Sequence, residues 1–199
     1  MLRMTEENVV GDDRVRCFGG PNDPLMMRYH DEQWGFPVHD DRQLFESFVL
    51  DGFQAGLSWR TILHKRENFR KAFLGFDPEK VTLYGDSETQ RLLADAGIVR
   101  NRMKIVATIS NAGRFLEVQG EFGSFDSYLW RFTGGETLRN PDGVTMRDVP
   151  ASTPESDALS ADLKGRGFKF VGTTICYAVM QSVGMVNDHS DECWRTSVD

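Results

Sequence analysis

Leu50-Asp51-Gly52-Phe53-Gln54-Ala55-Gly56-Leu57-Ser58-Trp59 is the stretch on which the reading of this chain turns. Upstream of it, Leu44, Phe45, Phe48 and Val49 recur at helical spacing behind Asp40 and Asp41, which can cap a helix N-terminus. Downstream, Ser58 can cap a second helix whose apolar face is Trp59, Ile62, Leu63, Phe69 and Phe73. Gly52 and Gly56 lie in the joint, where glycine lets the backbone turn sharply or approach a ligand closely. A carboxylate, an amide, a hydroxyl and an indole therefore meet at one helix–helix corner. That corner is either an ordinary interhelical turn with a buried tryptophan or the wall of a pocket, and the rest of the chain has to decide.

Outward from this joint the helical period continues. Asp23-Pro24 opens a helix through Tyr29 and His30 that stops at Trp34-Gly35-Phe36-Pro37. Asp77-Pro78 starts a short one, and Ser87 with Gln90 reads as a capping box for residues 88–96. After a tight break from Asp95 to Arg100, a long helix carries the stripe Ile105, Val106, Ile109, Ala112, Phe115 and Leu116. Phe125, Tyr128, Leu129, Trp130 and Phe132 predict another behind Ser124. Thr153-Pro154 caps one through Leu163, and Gly172 begins a last helix with Ile175, Cys176, Val179, Met180 and Val183, ending at Gly184. Residues 133–152 are the most irregular part, and 1–13 read as a disordered tail. No alternating strand pattern, repeat or low-complexity block appears. The fold class is all-α.

Composition limits the function classes. A chain of 199 residues makes one domain or two small lobes with a real core. Hydrophobic content of 40% and charged content of 27% describe a soluble globular protein. No stretch approaches the roughly 20 apolar residues of a membrane helix, and the polar N-terminus lacks the apolar core of a secretory signal. Three cysteines are too few for a disulfide framework, so a reducing, cytoplasmic setting is expected. A net charge of −7 argues against a chain coated in nucleic acid but permits a local basic face. His64-Lys65-Arg66 with Arg70-Lys71, Arg100 to Lys104, and Lys164 to Lys169 are each readable as solvated faces, yet all three flank turns between helices.

Three constellations carry chemistry. Cys17 and His30 near the start, with His189-x3-Cys193 at the end, offer two thiolates and two imidazoles, a set that suits tetrahedral Zn²⁺. The alternative is a capping histidine and stray cysteines. If real, the site is structural, because four protein ligands leave no open position, and it ties the chain ends together. Second, the run Leu163 to Thr174 joins two helices through a glycine-rich turn. It is a plain helical hairpin or an anion cradle in which backbone N–H groups at the second helix, with Lys169, hold DNA phosphate. Third, Tyr29, Trp34 and Trp59 are either core aromatics or faces that grip a flat, cationic ring, with Asp51 accepting hydrogen bonds from an exocyclic amine.

The motifs in order resemble a known family. Gly167 to Gly172 leading into a helix looks like the helix-hairpin-helix of DNA repair glycosylases, as does Gly97-Ile98-Val99-Arg100-Asn101-Arg102. Within that superfamily, Tyr29-His30-Asp31-Glu32-Gln33-Trp34-Gly35, Gln54-Ala55-Gly56-Leu57-Ser58-Trp59, Lys65-Arg66-Glu67-Asn68, Asp95-Ala96-Gly97-Ile98, Arg166 to Tyr177 and Val186-Asn187-Asp188-His189 resemble the DNA-3-methyladenine glycosylase I family, from about Cys17 to Cys193. The resemblance implies an all-helical glycosylase fold with a structural zinc on Cys17, His30, His189 and Cys193. It implies one glycosylase domain over 14–199, with a helical lobe at about 40–150 and a zinc-tied lobe formed by 14–39 and 151–199. The implied activity is monofunctional hydrolysis of the N-glycosidic bond of 3-methyladenine in double-stranded alkylated DNA by a monomeric protein. Asp51 is the implied catalytic carboxylate. Tyr29, Trp59, Asp51 and Trp34 would bind the base, and Gly56, Leu57, Lys169, Gly172 and Thr173 would contact DNA. Asn187 stands where related glycosylases carry a catalytic aspartate. Three positions depart from the family pattern: Asp51 replaces a glutamate, Met26 a tyrosine, and Phe18-Gly19 a Gly-Trp pair. These departures keep one alternative open, a zinc-stapled module that binds damaged DNA without cutting it.

Overall fold

A computed structural model describes residues 13–139, 145 and 149–196. The expected tail therefore lies outside the described residues except for Asp13, as do parts of the irregular segment and the last three residues. Nine α-helices are described: α1 Pro24–Glu32, α2 Asp41–Gln54, α3 Trp59–Ala72, α4 Pro78–Val81, α5 Asp86–Ala94, α6 Arg102–Phe122, α7 Phe125–Trp130, α8 Pro154–Gly165 and α9 Thr173–Ser182. Among the described residues the only β pairing consists of isolated bridges, Gly20 with Asp23 and Leu138 with Val186. No described helix is long and apolar enough to cross a membrane.

The helix starts follow the side chains that cap them. Asp23, Asp40, Ser58, Asn101, Ser124 and Thr153 each accept a backbone N–H of the first turn. α5 departs from expectation. It starts at Asp86, and the Glu88 carboxylate accepts the Gly85 N–H at 2.9 Å, so Ser87 and Gln90 form no capping box. Asp41 faces the next layer and receives the N–H groups of Phe125 and Asp126, both at 2.8 Å, which anchors α7 on α2.

One apolar core runs through both predicted lobes. It joins Leu44, Phe45 and Phe53 of α2, Phe69 of α3, Ile105 and Phe115 of α6, Phe125 of α7, and Cys176, Val179 and Met180 of α9. The phase of α6 differs from the predicted stripe. Val106 is 47% exposed, and Thr108 and Val118 are buried instead. A second, smaller cluster of Tyr29, Trp34 and Leu63 packs near the N-terminal segment. Residues 35–38 run along the end of α9, with the Gly35 N–H on Gln181 O and the Val38 N–H on Val183 O. Gly184 (φ +74) lies against that segment so closely that an added Cβ would sit 2.2 Å from the Phe36 carbonyl carbon.

Candidate base pocket, metal centre and DNA-facing loops

The opening stretch resolves into the last turn of α2, a tight turn and the start of α3. Leu57 N–H bonds back to Gln54 O at 2.6 Å, Ala55 has φ −47 and ψ 115, and Gly56 has φ +79. These are the angles of a type II turn, which requires a residue tolerant of positive φ at its third position. Gly56, Leu57 and Ser58 are exposed at its tip.

Behind the turn lies a cavity of about 380 Å³. Asp51, Gln54 and Trp59 line it from the α2–α3 side, Phe18, Met26, Tyr29 and Trp34 from the N-terminal side, Ala178, Gln181 and Ser182 from α9, and Val149 from the irregular segment. Asp51 is 4% exposed, and its Oδ2 accepts the Ser182 hydroxyl at 3.1 Å. Among the described residues no protein donor reaches Oδ1. Burial pushes this carboxyl up to about 7, against the opposing pull of Ser182 and the Arg66 charge. Burial also raises the Tyr29 hydroxyl well above its ordinary value, and Asp51 adds to that effect. The Trp59 indole N–H is buried without a hydrogen-bond partner among the described residues, the kind of orphan that a bound acceptor would satisfy.

Tyr29 and Trp59 do not form two jaws. Their ring centroids lie 5.1 Å apart at 43°. A base held between two rings needs two van der Waals contacts, about 7 Å in all. The two rings therefore make one continuous aromatic wall, extended by Phe18 packed edge-on against Trp34 at 5.0 Å. With the rings in this arrangement a base can stack on the wall but cannot lie between Tyr29 and Trp59.

Trp34 links the cavity to the second constellation. Cys17, His30, His189 and Cys193 place their ligand atoms within 4.8 Å of one another. Cys193 Sγ lies 3.3 Å from His30 Nε2 and 3.5 Å from His189 Nδ1, and Cys17 Sγ lies 3.6 Å from His189 Nδ1. A tetrahedral zinc with bonds of about 2.3 Å to sulfur and about 2.0–2.1 Å to nitrogen has an S···N edge of roughly 3.6 Å. The side chains thus fit a tetrahedral ion. The outer contacts fix the ring orientations. His30 Nδ1 pairs with Asp31 at 2.8 Å and His189 Nε2 with the Trp34 carbonyl at 3.2 Å, so the other nitrogen of each ring faces the cluster. Burial lowers both histidines, His189 to about 4, which keeps them in the neutral, ligating form. Asp31 is held in turn by Arg16 and by the Trp194 indole N–H. Cys176 stands apart, buried in α9, with its thiol on Val171 O and raised by burial to about 12.

The third constellation is the turn between α8 and α9. Gly167 and Phe168 N–H groups close on Lys164 and Leu163 carbonyls, and Gly172 caps α9 without offering a side chain. Lys169 is exposed and its backbone is gripped on both sides by Asn111 of α6, N–H to Oδ1 and O to Nδ2, each 2.8 Å. The Thr173 hydroxyl is engaged by Asp157 Oδ1 at 2.5 Å, leaving its backbone as the group that could meet phosphate. Asn187 does not border the cavity; its Oδ1 accepts the His189 N–H at 3.1 Å.

Several contributors are not visible in the sequence alone. Lys65 donates to Ala96 O and Gly97 O, bracing the break before α6. Arg66 pairs with the buried Glu46 and with Gln33, next to the Tyr29–Trp59 wall. The Lys65-Arg66-Glu67-Asn68 motif pointed to both residues, but their partners lie 20 to 33 positions away.

Comparison with known proteins adds the decisive observation. The family profile described as "Methyladenine glycosylase" matches residues 20–196. The chain belongs to the methyladenine glycosylase family. It is 48% identical over 178 residues, 89% of this chain and 95% of the relative, to "DNA-3-methyladenine glycosylase 1" of Escherichia coli (strain K12). A crystal structure of 3-methyladenine DNA glycosylase I (TAG) superposes with a TM-score of 0.86 at 47% identity, covering 90% of this chain and 98% of that one. The Staphylococcus aureus enzyme, whose structure concerns recognition of 3-methyladenine, gives 0.83 at 34% identity over 87% of this chain and 92% of that one.

Proposed function

We propose that this methyladenine glycosylase is a monofunctional base-excision repair enzyme that hydrolyses the N-glycosidic bond of 3-methyladenine, or a related alkylated base, in double-stranded DNA. The observation that carries this is Asp51: a buried carboxylate with an open oxygen, bordering a cavity whose lining includes the aromatic rings of Phe18, Tyr29, Trp34 and Trp59. Aromatic faces and one carboxylate favour a flat cation over its neutral parent. Alkylation at N3 makes adenine such a cation. The bond between the sugar carbon and the base is then weak; its electron pair leaves with the base, which departs neutral, water adds to the sugar carbon and releases one proton to solvent, and an abasic site remains.

The protein's share of the work is extrusion, binding and discrimination. Leu57 on its exposed turn would fill the gap in the stack, as apolar wedges do, with Gly56 letting the turn approach the duplex. Lys169, Gly172 and the Thr173 backbone would hold phosphate. Asp51 would accept the exocyclic amine while the base lies against Trp59 and Tyr29, with Trp34 behind. The cavity draws on both lobes of the proposed domain over 14–199, with Asp51, Gln54 and Trp59 from 40–150 and Tyr29, Trp34 and Ser182 from 14–39 and 151–199. Cys17, His30, His189 and Cys193 would hold Zn²⁺, which when bound ties the chain ends and takes no part in bond cleavage. A reducing, cytoplasmic setting would keep these thiols available, and none of the three cysteines is in a disulfide. Asp51 is shorter than the family's glutamate, and Met26 and Phe18 border the same cavity, so the lesion spectrum extends to larger alkylated bases. Release of base from duplexes carrying 3-methyl- or 3-ethyladenine, compared at equal enzyme, tests this; no release of either, with DNA still bound, contradicts the enzymatic reading.

A further inference from the structure

We infer that α6 is a strut that holds the two DNA-facing loops at a fixed separation, and that Lys104 is the positioning residue for the wedge turn. Lys104 is 7% exposed, although its side chain ends in an ammonium group. That ammonium donates to Phe53 O at 2.8 Å and Ala55 O at 2.6 Å, carbonyls at the end of α2. Between them, Gln54 O is taken by the Leu57 N–H. Three successive carbonyls are thus engaged, two by one buried cation, just where the chain enters the turn bearing Leu57. Helix ends leave their last carbonyls without partners, and a cation there also meets the negative end of the helix dipole. A buried charge is costly unless it is bonded in this way, so the geometry is tightly specified.

Seven residues further along, two turns on the same face, Asn111 grips the backbone of Lys169 in the hairpin. One rigid helix therefore fastens the wedge turn at Lys104 and the phosphate-facing hairpin at Asn111. A rise of 1.5 Å per residue sets the two anchor points about 10 Å apart. Strain or slack at either anchor would move Leu57 relative to the phosphate contact more than it moves Asp51 and the aromatic wall, because Gln54 is the one cavity residue that lies between the carbonyls Lys104 holds and neither Lys104 nor Asn111 borders the cavity.

This inference rests on the reading of Leu57 as the wedge, and a double-mutant cycle separates the two. Single-turnover excision from a methylated duplex is measured for wild type, Leu57→Ala, Lys104→Met and the double variant, with binding of free 3-methyladenine followed by tryptophan fluorescence. Loss of two charge-assisted hydrogen bonds at the turn should slow duplex excision by about tenfold or more. Free-base affinity should stay within about twofold, and Lys104→Met should cost little further once Leu57 is gone. No effect of Leu57→Ala overturns the wedge reading itself. A clear Leu57→Ala effect with costs that add, or an equal loss of free-base affinity, overturns the role of Lys104. Lys104→Gln, which can still reach one carbonyl, serves if the methionine variant does not fold; failure of both to fold marks Lys104 as part of the core and overturns the proposal.

Discussion

Asp51 is the residue where folding and chemistry oppose each other. Burial raises its carboxyl to about 7, far above the unfolded value of about 3.9. The protonated acid therefore contributes stability that is fully present below about pH 3.9 and is lost as pH rises to about 7. The base recognition proposed for Asp51 needs the opposite, ionised form. Two outcomes follow. The thermal midpoint of Asp51→Asn should vary less with pH across that window than that of wild type. Excision measured as kcat/KM, which reports the free enzyme, should rise through neutral pH in wild type and lose that rise in the variant. At pH 8 the variant should be slower by about tenfold or more, or about 1.4 kcal/mol of transition-state stabilisation. An Asp51→Asn protein that cuts as fast as wild type at pH 8 would remove Asp51 from base reading.

At the scale of elements, the apolar period and the capping residues were enough to locate most helices, because Asp40, Ser58, Ser124 and Thr153 each bond within three residues of themselves. Phase was harder. Val106 is apolar but faces outward, because the neighbours of α6 decide which of two adjacent stripes is covered. The start of α5 was displaced because Glu88 caps from inside the helix. Gly184 ends α9 where its expected position lay, but the reason is tertiary: Phe36 and Pro37 occupy the space of a side chain. Gly184→Ala combines that overlap with a positive φ and should cost about 2 kcal/mol or more, seen as a fall in thermal midpoint of roughly 4 °C or more. At the α8–α9 hairpin, Lys169→Ala should weaken duplex binding about equally for all sequences and flatten the salt dependence by about one unit at most. An unchanged slope would make the hairpin purely structural.

Over the whole molecule, the residues legible in advance were those whose chemistry is rare: two histidines and two cysteines at the chain ends, and a carboxylate in an aromatic-rich joint. What was not legible were the contacts that hold them: Ser182 and Arg66 act on partners 131 and 33 positions away, and Asp31, next to His30 in the chain, is itself held by Trp194 163 positions on. Cys17 and His30 meet His189 and Cys193 in one cluster from opposite ends of the described chain, and Trp34, which lines the cavity, packs on His189 with ring centroids 4.6 Å apart. Cys193→Ser should reduce bound zinc from one ion per chain toward none and lower the thermal midpoint; elemental analysis of protein purified without added metal checks the first and calorimetry the second. The central claim, that the cavity removes an alkylated base, is tested most directly by incubating the protein with methylated duplex DNA and assaying the released base together with the abasic sites left behind. The account predicts free 3-methyladenine and abasic sites in equal amounts, with no strand cleavage by the protein itself. Tight binding to the same duplex with neither product would contradict it.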